Sequence, residues 1–129
     1  MSDTAAPNEE RPDYRHPGGQ IYFACFTERG TTTIDELEEV FPAHKEWVAE
    51  QEAAGRILVA GPFLTDDFAW AGDGLIVFRV EGVAEAHRLA RQDPMHAQGL
   101  RTFRIVPWQL NEGSLRITLT VSNGAVDLQ

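Results

Sequence analysis

Apolar residues recur along this chain at two alternating periods, and the alternation predicts an α+β fold. Gln20 to Phe26 is short, aromatic-rich and apolar, which predicts a first strand. Ile34, Leu37, Phe41, His44 and Val48 then repeat at helical spacing, while Glu36, Glu38, Glu39, Glu46 and Glu50 fall mostly elsewhere. Thr31-Thr32-Thr33 supplies cap candidates, and Gly55 is placed to end the helix. Pro42 cannot donate a backbone hydrogen bond and disfavours helical geometry at Phe41, so the pattern predicts two helices meeting there.

Ile57 to Ala60 reads as a second strand stopped by Gly61-Pro62. The turn-like Ala71-Gly72-Asp73-Gly74 precedes a third strand, Leu75 to Val80. Val83 to Gln92 predicts a second major helix with Val83, Ala86, Leu89 and Ala90 inward. A fourth strand spans Thr102 to Trp108. A fifth, Leu115 to Val121, puts Leu115, Ile117, Leu119 and Val121 on one face and Arg116, Thr118 and Thr120 on the other.

The order β-α-β-β-α-β with an extra strand is the ferredoxin-like split βαβ pattern. Its helices would cover one face of an antiparallel sheet. The second and third strands are apolar on both sides, which implies that the other face is buried as well. A second copy of the chain is the most economical cover, and two such sheets face to face form a dimeric α/β barrel. Residues 1–19, rich in Pro, Gly and charge, predict a disordered tail. The ferredoxin-like domain would span 20–110, and 111–129 would be a C-terminal extension.

Composition narrows the function. The net charge of −9, with no Lys/Arg stripe, argues against nucleic acid as a partner. A small anionic substrate would need a local positive site, for which Arg101 and Arg104 are candidates. No apolar run reaches membrane-spanning length, and the N-terminus lacks the pattern of a signal peptide. One cysteine, Cys25, excludes an internal disulfide and fits a reducing cytoplasm; within a strand it reads as a buried, unactivated thiol.

His44 is the residue that looks like chemistry. An imidazole on an otherwise greasy helix face can move a proton near neutral pH, and a carboxylate on one ring nitrogen would fix its tautomer and leave the other as a base. It can equally be a core histidine bonded to a backbone carbonyl. Asp93 is the candidate carboxylate, although Asp93-Pro94 also reads as a helix cap with proline in the first turn. One carboxylate can do both. His96, three residues on, could line the same pocket or face solvent. Gly61-Pro62-Phe63 is either plain strand termination or a loop where a ligand approaches backbone. No set of histidines and cysteines has metal-ligand spacing, and no nucleotide-binding or serine-nucleophile motif occurs.

A helix bearing Ala43-His44 and Trp47, then Gly55 through Phe63, then Gly74 opening a strand, Ala90 to Pro94, Gly99-Leu100 and a strand ending Val106-Pro107-Trp108 resembles the YCII-related proteins. The resemblance runs from about Ile21 to Trp108. It implies a ferredoxin-like dimeric α/β barrel and an active site on a His–Asp pair, which maps onto His44 and Asp93. Gly61, Pro62, Phe63 and His96 would line a small-molecule site. One branch of the family is linked to dehydrochlorination of a chlorinated aromatic ring compound. The resemblance thus implies acid–base elimination or isomerisation with no metal or organic cofactor. A non-catalytic ligand-binding or regulatory module is the alternative. The tail before Gln20 and the strand Leu115 to Val121 lie outside the resemblance.

Overall fold

The structure, a computed structural model, describes residues 10–16 and 19–129. The element order is β1 (Gln20–Glu28), α1 (Ile34–Ala53), β2 (Ile57–Leu64), β3 (Trp70–Phe78), α2 (Val83–Gln92), α3 (Pro94–Ala97), β4 (Thr102–Leu110), β5 (Ile117–Thr120) and β6 (Ala125–Leu128). The first four strands form one antiparallel sheet in the order β2-β3-β1-β4. The fold is α+β, in the βαββαβ sequence that the periodicity predicts, with α3 as a third, short helix.

The core lies between this sheet and the helices. Phe23 and Cys25 of β1, Ile57 of β2, and Ile76 and Phe78 of β3 project to one face, where Trp47 of α1 and Ala86, Leu89 and Ala90 of α2 pack on them. Cys25 is fully buried at the centre. Burial, with the Asp93 charge, pushes its thiol pKa up to about 12, so it stays protonated and unreactive.

Helix α1 departs from the expectation of a break at Pro42. It is one continuous helix of 20 residues with Pro42 inside. An interior proline costs about 3 kcal/mol, and two features offset it. Thr33 and Glu36 form a reciprocal capping box, Thr33 Oγ1 accepting from the Glu36 amide and Glu36 Oε1 from the Thr33 amide. Buried side chains then tie down both halves, Leu37 before the proline and Trp47 and Gln51 after it. Gly55 closes the helix with φ of 77°.

The middle strands also differ from expectation. β2 continues through Gly61-Pro62 to Leu64, and Ala71-Gly72-Asp73-Gly74 lies inside β3. Pro62 is tolerated because β2 is an edge strand, which needs hydrogen bonds on one side only. Gly74 serves close approach instead of a turn: a Cβ there would stand 3.0 Å from the Gly61 carbonyl oxygen. The actual turn is Thr65 to Phe68, closed by the Phe68 amide on the Thr65 carbonyl.

The C-terminal strand does not extend the main sheet. β5 pairs with β6, which the sequence reading did not anticipate, in a separate two-stranded sheet. Ile117 faces Leu128 and Leu119 faces Val126, so one side of this hairpin is apolar, and all four side chains are exposed. Of the expected N-terminal tail, residues 1–9, 17 and 18 lie outside the described residues. Residues 10–16 form no helix or strand, and the His16 amide donates to Gln109 Oε1 at 2.7 Å.

Candidate active site

Helix α1 carries Phe41, His44, Lys45, Val48 and Glu52 along one stripe, and that stripe forms one wall of a cavity of about 420 Å³. Strands β2 and β3 supply the opposite wall through Gly61, Pro62, Trp70 and Ile76, with Thr27 of β1 at one side. Met95 of the short helix α3 and Arg101, just after that helix, close the inner end. The cavity is large enough for a ring-sized molecule, and most of its wall is apolar. The Phe41 and Trp70 rings meet with centroids 5.6 Å apart.

Asp93 sits just behind that inner end, with none of its side chain exposed. It caps α3 as its sequence context suggests: Oδ1 accepts from the Met95 amide at 3.0 Å, with Pro94 opening the helix. The same carboxylate meets His44 Nδ1 at 2.9 Å from each oxygen. Arg101 Nη2 donates to Oδ2 at 3.2 Å. Gly99, with φ of 73°, lets the chain reverse after α3, and the Leu100 and Arg101 amides both bond the Met95 carbonyl. That reversal returns Arg101 to Asp93.

Burial pushes the Asp93 carboxyl up, but the hydrogen bond and charge of His44, with the Met95 amide, hold it below the ordinary aspartate value. An ionised carboxylate is acceptor-only, so Nδ1 of His44 carries a hydrogen, and in the neutral form of the ring the lone pair is on Nε2. Nε2 has no hydrogen-bond partner among the described residues, and the ring lines the cavity. The histidine is therefore not bonded to a backbone carbonyl, the bland alternative for it.

The depressed Asp93 value has a signed consequence. Its stabilising contribution is complete above the unfolded aspartate pKa, near 4, and is lost as pH falls through the lower folded value. Urea midpoints measured at pH 7 and pH 3 should fall further in wild type than in Asp93→Asn.

Two residues expected at the site are elsewhere. His96 does not line the cavity: its Nδ1 bonds the Ala90 carbonyl at 2.7 Å and its ring packs on Phe103. That anchor turns the imidazole into the protein, where burial lowers its pKa. Phe63 is also outside the cavity wall. It lies on the exposed end of β2, where the register shifts between Pro62 and Leu64. Gly61 and Pro62 do line the cavity. Arg104 stands over the Phe26 ring at 4.3 Å and is not part of the site. Among the described residues, no group of three or more His, Cys, Asp or Glu side chains is arranged to hold a metal ion, and no helix is long and apolar enough to cross a membrane.

The YCII-related domain matches residues 21–109. Among solved structures, the chain is similar to 5-chloro-2-hydroxyhydroquinone dehydrochlorinase (TftG) from Burkholderia phenoliruptrix AC1100, in complex with 2,5-dihydroxybenzoquinone. The TM-score is 0.57 at 21% identity, over 71% of this chain and 95% of that one. At that identity the likeness speaks for the fold. No curated protein matches.

Proposed function

The chain belongs to the YCII-related domain family, and on that premise we propose that it is a small enzyme whose His44–Asp93 pair moves a proton on a small organic molecule, without metal or organic cofactor. The observation that carries this reading is the hydrogen-bonded pair at the wall of a ring-sized cavity, with Nε2 of His44 free to act. In an elimination, Nε2 takes a proton from a substrate carbon. The C–H electron pair becomes the new double bond, and the leaving group departs with its own bonding pair. Asp93 orients the ring and balances the charge it gains. In an isomerisation the same nitrogen returns the proton to another atom. The dehydrochlorinase activity of the structural neighbour supports the lyase form. Phe41, Pro62 and Trp70 would hold the body of the substrate.

The test is a screen of small hydroxylated and halogenated ring compounds, read by thermal shift and then by mass spectrometry for product. Turnover that persists in both His44→Ala and Asp93→Asn would refute the assignment. A non-catalytic binding module is the second reading, favoured by the largely apolar walls. Stabilisation by a ligand that is never converted would support it.

The working unit in this proposal is a homodimer. Val59, Trp108 and Leu110, on the sheet face away from the helices, are exposed apolar residues, and the β5–β6 hairpin adds Leu115, Ile117, Leu119, Val121, Val126 and Leu128. An isolated two-stranded hairpin is at best marginally stable in water, so its apolar side calls for a cover. Light scattering at micromolar concentration should give twice the chain mass; a monomeric mass would remove the dimer from the proposal.

A further inference from the structure

We propose that the cavity takes a small organic monoanion, and that Arg101 is the residue that holds its oxyanion beside His44. The placement beside His44 builds on the proton-transfer reading; the anion site itself stands on the contacts of Arg101.

The Arg101 side chain is only 6% exposed, and the residue lines the cavity. Its guanidinium has five N–H donors, yet among the described residues its one side-chain hydrogen bond is from Nη2 to Asp93 at 3.2 Å. Nε is buried and has no acceptor. Nη1 makes no hydrogen bond among the described residues. Asp93 takes only Nη2 of the group, and its two oxygens also accept from His44 Nδ1 and the Met95 amide. A buried cation is thus left with most of its donors unfilled next to a cavity. Such a group is costly without acceptors, and a planar oxyanion is the acceptor that a guanidinium matches best.

Geometry ties this site to the imidazole. His44 and Arg101 contact the same carboxylate, His44 at 2.9 Å and Arg101 at 3.2 Å, so one small molecule can reach both. The rest of the cavity limits what that molecule is. Its walls at Phe41, Val48, Pro62 and Trp70 suit an apolar ring. Glu52 and Asp73, also on the walls, disfavour a second negative charge. The ligand class is a ring-sized carboxylate, phenolate or enolate carrying one charge. Held this way, the charge on oxygen stays on Arg101 while the proton at a neighbouring atom faces Nε2.

Isothermal titration of the full chain with benzoate and with benzamide, its neutral isostere, tests the proposal. Benzoate should bind about tenfold more tightly than benzamide at pH 7. Arg101→Met should abolish that preference. Because this variant also strips Asp93 of a partner and can unfold the chain, Arg101→Lys is the second variant. It keeps the charge but not the planar fork, and should weaken benzoate about tenfold while leaving benzamide unchanged. Equal affinity for the two probes, no benzoate binding at millimolar concentration, or a benzoate preference that survives in both folded variants would overturn it. These are binding readouts that need no turnover, so the anion site and the proton-transfer reading can fail separately.

Discussion

Asp93→Ala should lower the unfolding free energy by about 3–5 kcal/mol, the usual cost of breaking a buried charge pair from one side. The residue has no exposed side-chain surface, and three donors converge on it: His44 Nδ1, the Met95 amide and Arg101 Nη2. The alanine variant leaves the Arg101 guanidinium buried without its hydrogen-bonded counter-charge, with only the weaker influence of Asp73. It also removes the cap of α3, itself worth about 1 kcal/mol. Asp93→Asn keeps the shape and can still cap, so it should cost less. Urea denaturation at pH 7 reads both. The double variant Asp93→Ala/Arg101→Met should be more stable than the sum of the single losses predicts, because the stranded charge is gone. A loss below about 1 kcal/mol for Asp93→Ala would mean that the network contributes little to the fold.

His44→Ala should do the opposite. Removing a positioned acid–base group commonly costs about 10²–10⁴ in rate, and here the fold should barely notice. The His44 side chain is 14% exposed at a cavity wall, and without it Asp93 still has Met95 and Arg101. Steady-state kinetics on a substrate found by the screen, with urea midpoints on the same preparations, separates the two effects. A fall in kcat with an unchanged midpoint is the expected pair of results. A large loss of stability with little loss of kcat would make His44 a structural residue.

Much of this was legible in the residues, and the exceptions share a cause. The helical spacing of Ile34, Leu37, Phe41, His44 and Val48 puts the imidazole on the inward face, and the cavity stripe of α1 follows the same period. Asp93-Pro94 announces a cap from sequence alone. That the cap also meets His44 came from resemblance, since no local pattern joins positions so far apart. The errors fall where tertiary position overrides local chemistry. Pro62 and the glycines of β3 carry turn signals that an edge strand and a close strand pair absorb. Pro42 carries a break signal that packing on both sides of it overrides. Arg101 is a candidate positive site for a small anion from sequence; its pairing with Asp93 depends on the chain reversal at Gly99, which no local pattern around Arg101 announces. Asn123-Gly124, just before β6, is the kind of turn pair that joins two strands of a hairpin.

Both outer strands of the main sheet contain a proline, Pro62 in β2 and Pro107 in β4. Neither can offer a complete row of N–H donors to an incoming strand, and the register shifts in β2 roughen its edge further. Open-ended growth by edge-to-edge pairing, the route to fibres, is therefore obstructed at both margins. The proposed homodimer would instead use the sheet faces, where a two-fold contact closes on itself and stops. The prolines thus act as guards against aggregation in a chain that leaves so much apolar surface uncovered.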